Sequence, residues 1–569
     1  MCGILGGNNS QWNYKKGIEC MAHRGPDGIR ISPLEDFTLA FARLAIIDLS
    51  INGMQPMFSY DKQVGIVYNG EIYGYQKLRK KLEQKGYRFR SMTDTEVILN
   101  AYLEWGDKFI AKIDGMFGMA IYDRREGVIK LFRDRVGVKP LYYYYDGTNF
   151  GFASELKGIV NMCNTVSLKI DHTAVYDYLN YIYIPAPKTY YKNVYKVLPG
   201  HCVVFDIKSK HIIKDSSYWR LNINVNQGSE RSQSDIIEEL KGLIKESVSE
   251  QMIADVPVGT FLSGGADSSI VTYEGHNINP QLESFSIGFT QRDYNESQYA
   301  RKLAKRYKIN WKEKKFDFNI FQNYYGQLRE WYDEPFADYS AYPTYMVSKM
   351  AKEKVTVVLT GDGGDEVFGG YNRHRAIWQK EKEKGPDNLF ISYIYSKLHK
   401  NGLSYYWTDQ LTFLLREIGG APRLSDKDLR KQLGISRDYD TFWKFRKYYL
   451  KDLPPMTRVQ YLDLKTYLPE DVLTKVDRVS MAVSLEARVP LLAKKLIEFS
   501  FSLSEEDRIP NGVLKGLLKK AYEEEIGKSL LYRKKMGFSM PYNFFGSEKP
   551  PEEWLLEDLW GYRVQDKID

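Results

Sequence analysis

The sequence predicts two domains of mixed α and β structure: an α+β domain with stacked antiparallel sheets, and an α/β domain with a doubly wound parallel sheet. Three observations support this. A chain of 569 residues is too long for one hydrophobic core. Strand-like runs up to residue 212 are separated by hairpin-length gaps. Beyond residue 231, strand-like and helical runs alternate, as is typical of a parallel sheet with helices on both faces.

Composition narrows the function classes. With 43% apolar and 27% charged residues, the chain is expected to be a soluble globular protein. It has no apolar run of roughly 18 residues and no N-terminal secretion pattern, so we expect a cytoplasmic protein without membrane association. A net charge of +8 gives little support to nucleic-acid binding. The four cysteines lack the paired spacing of a disulfide framework or a zinc site.

The domain boundary is expected within residues 213–230, where Ser, Asn and Gly residues occur without periodicity. A hairpin around Leu198–Phe205 precedes this segment, and a helix with one apolar face begins at Asp235. We therefore assign residues 1–212 to the first domain, 213–230 to a linker and 231–569 to the second domain. The first is expected to be a four-layer αββα sandwich, and the second to end in a helical part.

The stretch Ser263–Ser269 follows a short apolar strand and precedes a predicted helix. Adjacent glycines let the backbone approach a ligand, and the N–H groups of a new helix favour an anion. No lysine follows the glycines, as it would in common NTPases. Asp267 occurs there instead, and its carboxylate could bind a magnesium ion that bridges phosphates. A solvated turn is the plain alternative. The stretch resembles the pyrophosphate loop of ATP pyrophosphatases, which cleave ATP between its α and β phosphates.

Cys2 is the second candidate. Removal of Met1 would leave a thiol and an α-amine on one residue, and an α-amine with a pKa of about 7.7–8.0 can accept the thiol proton. The position equally suits a small buried apolar residue.

Polar clusters follow Cys2 along the first domain. They are His23–Gly28, the strand-like Arg43–Asp48, Val67–Tyr73 with an Asn-Gly pair expected to form a tight turn, and Ser91–Glu96, expected to cap a helix. Each alone is compatible with an ordinary turn or cap. Their combination and order resemble the class II glutamine amidotransferases, in which an N-terminal cysteine releases ammonia from glutamine, and thus a fold of the N-terminal-nucleophile type.

This resemblance implies a role for each matching position. Cys2 would be the nucleophile, with Asn69 and Gly70 as the oxyanion hole. Arg43 would bind the α-carboxylate of glutamine, and acids its α-amino group, which suits the chemistry of those side chains. The residues implied to line the glutamine site are Arg43, Leu44, Ala45, Ile46, Ile47, Asn69, Gly70, Glu71 and Asp94.

A second glycine-rich loop, Leu359–Tyr371, follows a predicted strand and carries Asp362 and Asp365. Beside a triphosphate loop, such acids suggest a metal ligand and a proton-handling carboxylate, although a solvated turn has a similar composition. Because ligands of doubly wound sheets bind beyond the carboxyl ends of strands, both loops are expected at one site. The later segments Leu473–Arg478, Ser484–Leu491 and Arg533–Phe538 are interpreted as charged helix ends.

From Cys2 to about Phe545 these motifs together resemble the glutamine-hydrolysing asparagine synthetases. The resemblance implies that glutamine is hydrolysed at Cys2, that ATP adenylates a carboxylate at the second site, and that ammonia crosses a tunnel to form an amide. Asp267 and Asp365 would bind Mg²⁺, and Asp362 and Lys535 would be catalytic, the lysine by stabilising charge on the adenylation transition state. Aspartate is the expected acceptor, and a homodimer is the candidate assembly. The implied ATP-binding residues are Leu262, Ser263, Gly264, Gly265, Asp267, Ser268, Ser269, Ile287, Thr360 and Gly361.

Two departures from the family pattern leave the acceptor open. Asp362 stands where the family has a glutamate, and Tyr339 where it has a substrate-binding arginine, so Arg292 or Arg373 would have to replace that arginine. A uronic acid is the alternative acceptor, because relatives amidate sugar acids and the tyrosines of the segment suit a sugar ring. Those tyrosines are Tyr332, Tyr339, Tyr342 and Tyr345.

Two further alternatives have less support. RNA-modifying enzymes share the pyrophosphate loop, but no RNA-binding module is evident in the sequence. An inactive, binding-only relative would not need Cys2, Asp267, Asp365 and Lys535.

Overall fold

The computed structural model describes residues 1–164, 166–223, 231–290, 295–317, 324–383, 426–533 and 551–562. Strands of the first domain are β1 (Gly3–Gly7), β2 (Ile29–Pro33), β3 (Thr38–Ala42), β4 (Met57–Phe58), β5 (Val64–Ile72), β6 (Gly115–Asp123), β7 (Val128–Arg133), β8 (Tyr142–Tyr145), β9 (Phe150–Ala153), β10 (Val194–Lys196), β11 (His201–Asp206) and β12 (His211–Ser217). Its α-helices are α1 (Tyr14–Glu19), α2 (Tyr75–Gln84), α3 (Asp94–Trp105), α4 (Leu156–Met162) and α5 (His172–Tyr181).

Within the described residues, the first domain contains two six-stranded sheets of order β10-β8-β9-β1-β3-β2 and β12-β11-β7-β6-β5-β4. All their recorded pairings are antiparallel. The sheets pack face to face, with α1 and α4 on the outer side of one and α3 on the outer side of the other. This is the predicted αββα sandwich. Strand β12 pairs with β11 through Ser217, so the sheet runs past residue 212, where we expected the domain to end.

The Asn-Gly pair expected to form a turn lies inside β5 instead. Asn69 and Gly70 pair with Gly118 and Phe117 of β6, so the turn prediction was wrong. A Cβ at position 70 would collide with the Met116 carbonyl oxygen, which explains why glycine occurs here without a turn.

The second domain is built on strands β13 (Val258–Phe261), β14 (Glu283–Phe289), β15 (Asn310–Phe316), β16 (Val357–Leu359) and β17 (Glu486–Arg488). Its described α-helices are α6 (Gln233–Gln251), α7 (Ala266–Ile278), α8 (Ser297–Tyr307), α9 (Leu328–Tyr332), α10 (Ala341–Lys352), α11 (Gly364–Phe368), α12 (Asn372–Glu383), α13 (Asp426–Leu433), α14 (Trp443–Tyr448), α15 (Pro455–Lys465), α16 (Leu473–Met481), α17 (Lys494–Ser502), α18 (Glu505–Arg508), α19 (Gly516–Ala521), α20 (Glu523–Ile526), α21 (Lys528–Leu531) and α22 (Pro551–Trp560). Short 3₁₀ turns span Ala22–Arg24, Ile51–Gly53, Gly106–Ala111, Tyr325–Gln327, Pro490–Leu492 and Pro510–Gly512, and a π-helical turn spans Leu468–Val472.

The sheet of the second domain is parallel, with the order β15-β14-β13-β16-β17. The chain adds strands on one side of β13 and then returns to its other side, so the direction of winding reverses between β13 and β16. Neighbouring residues of β16 enter different cores: Val358 belongs to a core that includes residues of α10 and α16, and Leu359 to a core that includes residues of α6 and α7. Helices therefore cover both faces, as predicted, and the reversal opens a crevice beyond the strand ends. None of the helices described is long and apolar enough to cross a bilayer.

Buried charges join the two domains. Arg24 is fully buried, and its Nη1 lies 2.7 Å from Glu155 Oε1 and 2.9 Å from Asp477 Oδ2 of the second domain. Arg478 Nη1 approaches Glu155 Oε1 to 3.0 Å, and Lys139 Nζ approaches Asp477 Oδ1 to 3.5 Å. Burial disfavours the Asp477 charge, but Arg24 and Lys139 lower its pKa below the usual value. Each domain thus supplies counter-charges to the other.

We expect Asp477→Ala to lower the free energy of unfolding by about 3–5 kcal/mol, because it leaves Arg24 and Lys139 buried with less counter-charge. Urea unfolding would measure this. The control is Glu35→Ala, which breaks an exposed pair with Arg124 (2.7 Å) and should barely move the transition. Equal effects of the two substitutions would contradict the interface described.

Candidate functional site

Cys2, at the start of the chain, lies between the segments of the first domain that carry Leu44 and Asn69. Cys2 is 8% exposed, its backbone N–H donates to Asn69 Oδ1 (2.9 Å), and the Leu44 N–H donates to its Sγ (3.4 Å). Burial raises the pKa of the thiol, while the chain's terminal ammonium lowers it. The structure therefore brings Cys2, Leu44 and Asn69 together, although they are distant in sequence.

Asn69 has a buried amide donor beside Cys2. With its Oδ1 accepting from the Cys2 N–H, its Nδ2 is buried and has no hydrogen-bond partner among the described residues. A buried donor without a partner is costly unless a ligand satisfies it. Gly70 follows on the same strand, so both implied oxyanion-hole residues lie at this place.

The segment after β3 carries the other implied glutamine contacts. Arg43 is buried, and its guanidinium donates to the carbonyl oxygens of Ser50 (2.5 Å) and Asp48. The Ala45 N–H donates to Asp27 Oδ2 (2.8 Å), and the Ile46 carbonyl accepts from Asp255 N–H (2.9 Å) of the second domain. Ile47 is buried directly after it.

Two acids lie close together near Cys2. Asp94 Oδ2 accepts from the Tyr68 hydroxyl and the Ile72 N–H, both at 3.0 Å, and burial raises its pKa to about 6. Burial and the nearby Asp94 charge raise the pKa of Glu71 well above its usual range, while Arg488 acts against this. An added cation would favour ionisation of both acids, so this corner of the site suits an ammonium group.

The second domain contributes to this first site through residues that we expected at helix ends. Glu486 and Arg488 lie in strand β17 instead, fully or almost fully buried. Glu486 Oε2 accepts from the terminal ammonium of Met1 (2.9 Å), and Arg488 Nη2 lies 3.4 Å from Glu71 Oε1. The spacing of two positions was the missed signal, because it places both charges on one face of a strand.

A cavity of about 980 Å³ lies beyond the carboxyl ends of β13, β14 and β16. Its wall includes most of the predicted ATP-binding and acidic residues: Leu262, Ser263, Gly265, Asp267, Ser268, Ile287, Thr360, Gly361, Asp362 and Asp365. Helix α7 begins at this wall, directly after Gly265. Gly264 has φ +81° and packs against the Ala300 backbone, while Ser269 is fully buried in the first turn of α7.

The predicted metal-binding carboxylates converge on one lysine. Lys515 Nζ lies 2.8 Å from Asp365 Oδ1 and also contacts Asp267 Oδ2. Lys515, which was not among the residues predicted from the sequence, lines the cavity from the turn before α19. In the described part of the chain, no cluster of three or more Asp, Glu, His or Cys residues could hold a metal alone. Two carboxylates fit Mg²⁺, which commonly takes one or two protein acids together with phosphate oxygens.

Another part of the cavity wall carries both signs of charge. Lys475 Nζ lies 3.0 Å from Asp338 Oδ2 and donates to Ser340 Oγ (2.7 Å). Burial raises the pKa of Asp362, and Lys475 opposes this shift. All four of these residues line the cavity. Lys475 was predicted only as part of a charged helix end.

The tyrosines proposed for sugar stacking lie elsewhere. Tyr332, Tyr339, Tyr342 and Tyr345 are all buried in one hydrophobic core, and none is among the described residues that line the cavity. Arg373 pairs with Asp463 (2.8 Å) and stacks on the Tyr371 ring at 4.0 Å. Because these contacts hold its guanidinium, Arg373 does not take the place of the family's substrate-binding arginine. Arg292 and Lys535 lie outside the described residues.

Comparisons with known proteins give family matches in both domains of the chain. A profile described as "Glutamine amidotransferase domain" matches residues 1–219, and "Asparagine synthase" matches residues 239–561. Asparagine synthetase [glutamine-hydrolyzing] 1 of Bacillus subtilis is 34% identical over 98% of this chain and 89% of its own length. A putative asparagine synthetase 2 of Methanocaldococcus jannaschii is 39% identical over 66% of this chain and 76% of its own. A putative asparagine synthetase of Mycobacterium tuberculosis is 30% identical over 96% of this chain and 87% of its own.

The match thus covers the sandwich that carries Cys2 and the parallel-sheet domain that holds the cavity. The chain is a ligase of the ATP-using type, and it belongs to the glutamine-hydrolysing asparagine synthetase family.

Proposed function

We propose that this enzyme makes asparagine from aspartate, using glutamine as the nitrogen donor and cleaving ATP to AMP and pyrophosphate. The observation that carries it is the cavity wall formed by Lys475, Asp338, Ser340 and Asp362, in which a cation and acids lie side by side.

Aspartate carries an α-ammonium and an α-carboxylate besides the carboxylate to be activated. A buried site must pair both groups or bear the cost of desolvating a charge. Lys475 would pair with the α-carboxylate, in place of the arginine that Tyr339 replaces in the sequence. Asp338 and Asp362 would face the α-ammonium. A uronic acid needs no ammonium partner, and its expected stacking tyrosines are in the protein core.

In the first site, Cys2 would attack the side-chain amide carbon of glutamine after loss of Met1. The negative oxygen of the tetrahedral intermediate would accept hydrogen bonds from Asn69 Nδ2, a buried donor without a partner among the described residues, and from the Gly70 backbone. Arg43 would bind the α-carboxylate, with Leu44 to Ile47 as the adjoining wall. Glu71 and Asp94 would bind the α-ammonium. Thiolester hydrolysis would then yield glutamate, after ammonia has left for the second site.

In the second site, the loop Ser263–Ser269 and the first turn of α7 would hold the pyrophosphate portion of ATP. Leu262, Ile287, Thr360 and Gly361 would border the nucleotide. Asp267 and Asp365 would hold Mg²⁺, which when bound neutralises charge on the leaving pyrophosphate. Lys515, which lies beside both acids, would pair with a phosphate oxygen of ATP. Lys535 stays a sequence-based proposal for the adenylation transition state.

Cys2→Ala should abolish glutamine hydrolysis and glutamine-dependent synthesis while sparing synthesis from added ammonia, because the two chemistries occupy separate domains. Glutamate and asparagine formation would be measured separately. The matched control is Cys202→Ala, which removes another buried thiol of the first domain and should keep both activities. Glutaminase activity surviving in the Cys2 variant would overturn the first-site assignment.

Asp267→Asn and Asp365→Asn should each reduce AMP formation at least 100-fold, roughly the loss expected when a charged ligand to a metal–phosphate clamp is removed. Glutamine hydrolysis should persist. Titrating Mg²⁺ should give partial recovery at higher concentration, which a purely structural defect would not show. Asp235→Asn, at the exposed start of α6, serves as the control. Normal ATP cleavage in either variant would refute the metal-ligand role.

Assays with ATP, ammonia and either aspartate or galacturonate would test the acceptor. We expect saturable AMP release with aspartate alone, and Lys475→Met should raise the KM for aspartate roughly tenfold or more by removing a charged partner. Lys354→Met, an exposed lysine outside the cavity, should have no effect. Turnover of a uronate without turnover of aspartate would reverse the assignment.

A further inference from the structure

Arg488 belongs to the second domain but reaches the glutamine site of the first. It lies on β17, one of the two edge strands of the parallel sheet in the described residues, and is 1% exposed. Its backbone carbonyl accepts from the Thr360 N–H (2.9 Å), which lies in the cavity wall of the second site. Its side chain ends 3.4 Å from Glu71 Oε1 on β5. One residue is therefore in contact with both candidate sites.

Residues of the second domain hold the Arg488 guanidinium in a fixed position. Nε donates to Glu486 Oε1 (2.6 Å), and Nη1 donates to the carbonyls of Gln251 (2.7 Å) and Ile253 (2.8 Å). Nη2 has no hydrogen-bond partner among the described residues, and Glu71 is the acid beside it. Fixing an arginine at several donors leaves its remaining edge in a defined orientation.

Glu71 needs such a partner. Its carboxylate is buried near the acids Asp94 and Glu486, and both disfavour its charge. Arg488 opposes them. An ionised Glu71 pairs with an ammonium group, whereas a protonated one does so only weakly. The second domain therefore supplies the charge that the glutamine site lacks on its own.

We propose that Arg488 is a positioning residue for glutamine, holding Glu71 in place to receive the substrate's α-ammonium. The inference rests on the proposed function, since it is there that Glu71 is assigned to glutamine. It makes the glutamine site a product of both domains. Glu486 supports the arrangement, because its Oε1 accepts from Arg488 Nε and so helps to fix the guanidinium.

Arg488→Gln should raise the KM for glutamine roughly tenfold or more and change kcat at saturating glutamine far less. Ammonia-dependent synthesis should retain its KM for aspartate. Arg488→Lys, which keeps the charge, should show a smaller rise. The matched control is Arg508→Gln: Arg508 is another fully buried arginine, bonded to Ser500 O and Thr457 Oγ1, and its loss should leave the KM for glutamine unchanged.

A double-mutant cycle with Glu71→Gln decides the mechanism. Once Glu71 is neutral, Arg488→Lys should add no further rise in KM. Independent, multiplying effects would overturn the proposal, as would an unchanged KM in Arg488→Gln. If the Arg488→Gln protein does not fold, Arg488→Lys still allows the test. If Glu71→Gln itself leaves KM unchanged, the glutamine-site assignment fails; if only the Arg488 variants are silent, this inference alone fails.

Discussion

Charges buried between the two domains are the constraint on which the rest of the structure depends. Arg24, Asp477 and Glu155 have almost no contact with solvent, and an isolated ion in such surroundings is strongly unfavourable. The counter-charge for Arg24 comes partly from the opposite domain. The same arginine donates to the Cys2 carbonyl through Nε (3.2 Å), so the pairing that docks the domains also holds Cys2 in place. The contacts of Arg24 therefore contribute both to the docking of the domains and to the structure of the first site.

The second site depends on a different constraint, the reversal of winding between β13 and β16. Two loops that are far apart in sequence must leave the sheet side by side at that point. The first turn of α7 then faces the loop after β16, where Gly361 and Gly364 closely approach Asp267. Strand β17 lies beside β16, so the strand that supports this loop also carries Glu486 and Arg488 toward the first site. Sheet order thus brings elements of the two candidate sites next to each other.

Local patterns in the sequence predicted much of this. The strand, glycine-rich loop and helix around Ser263 form as expected, and Thr93 caps α3 by accepting from the Glu96 N–H. Such features depend on neighbours within a few residues. The Asn-Gly pair failed because pairing with β6 overrides its turn preference. The approach of Lys515 and Lys475 to acids, and of Arg488 to Glu71, depends on partners more than a hundred residues away, for which one sequence carries no signal. The tyrosine run likewise suits a sugar or a core equally well until the packing is known.

The central claim is that two sites in one docked unit pass nitrogen from glutamine to aspartate. Its most direct test is a single reaction with amide-¹⁵N-glutamine, aspartate, ATP and excess unlabelled ammonium, followed by mass spectrometry of the products. The account predicts asparagine labelled mainly from glutamine, formed in equal amount with AMP and pyrophosphate. Asparagine carrying the isotope ratio of the bulk ammonium, or no asparagine while glutamine and ATP are consumed, would contradict it.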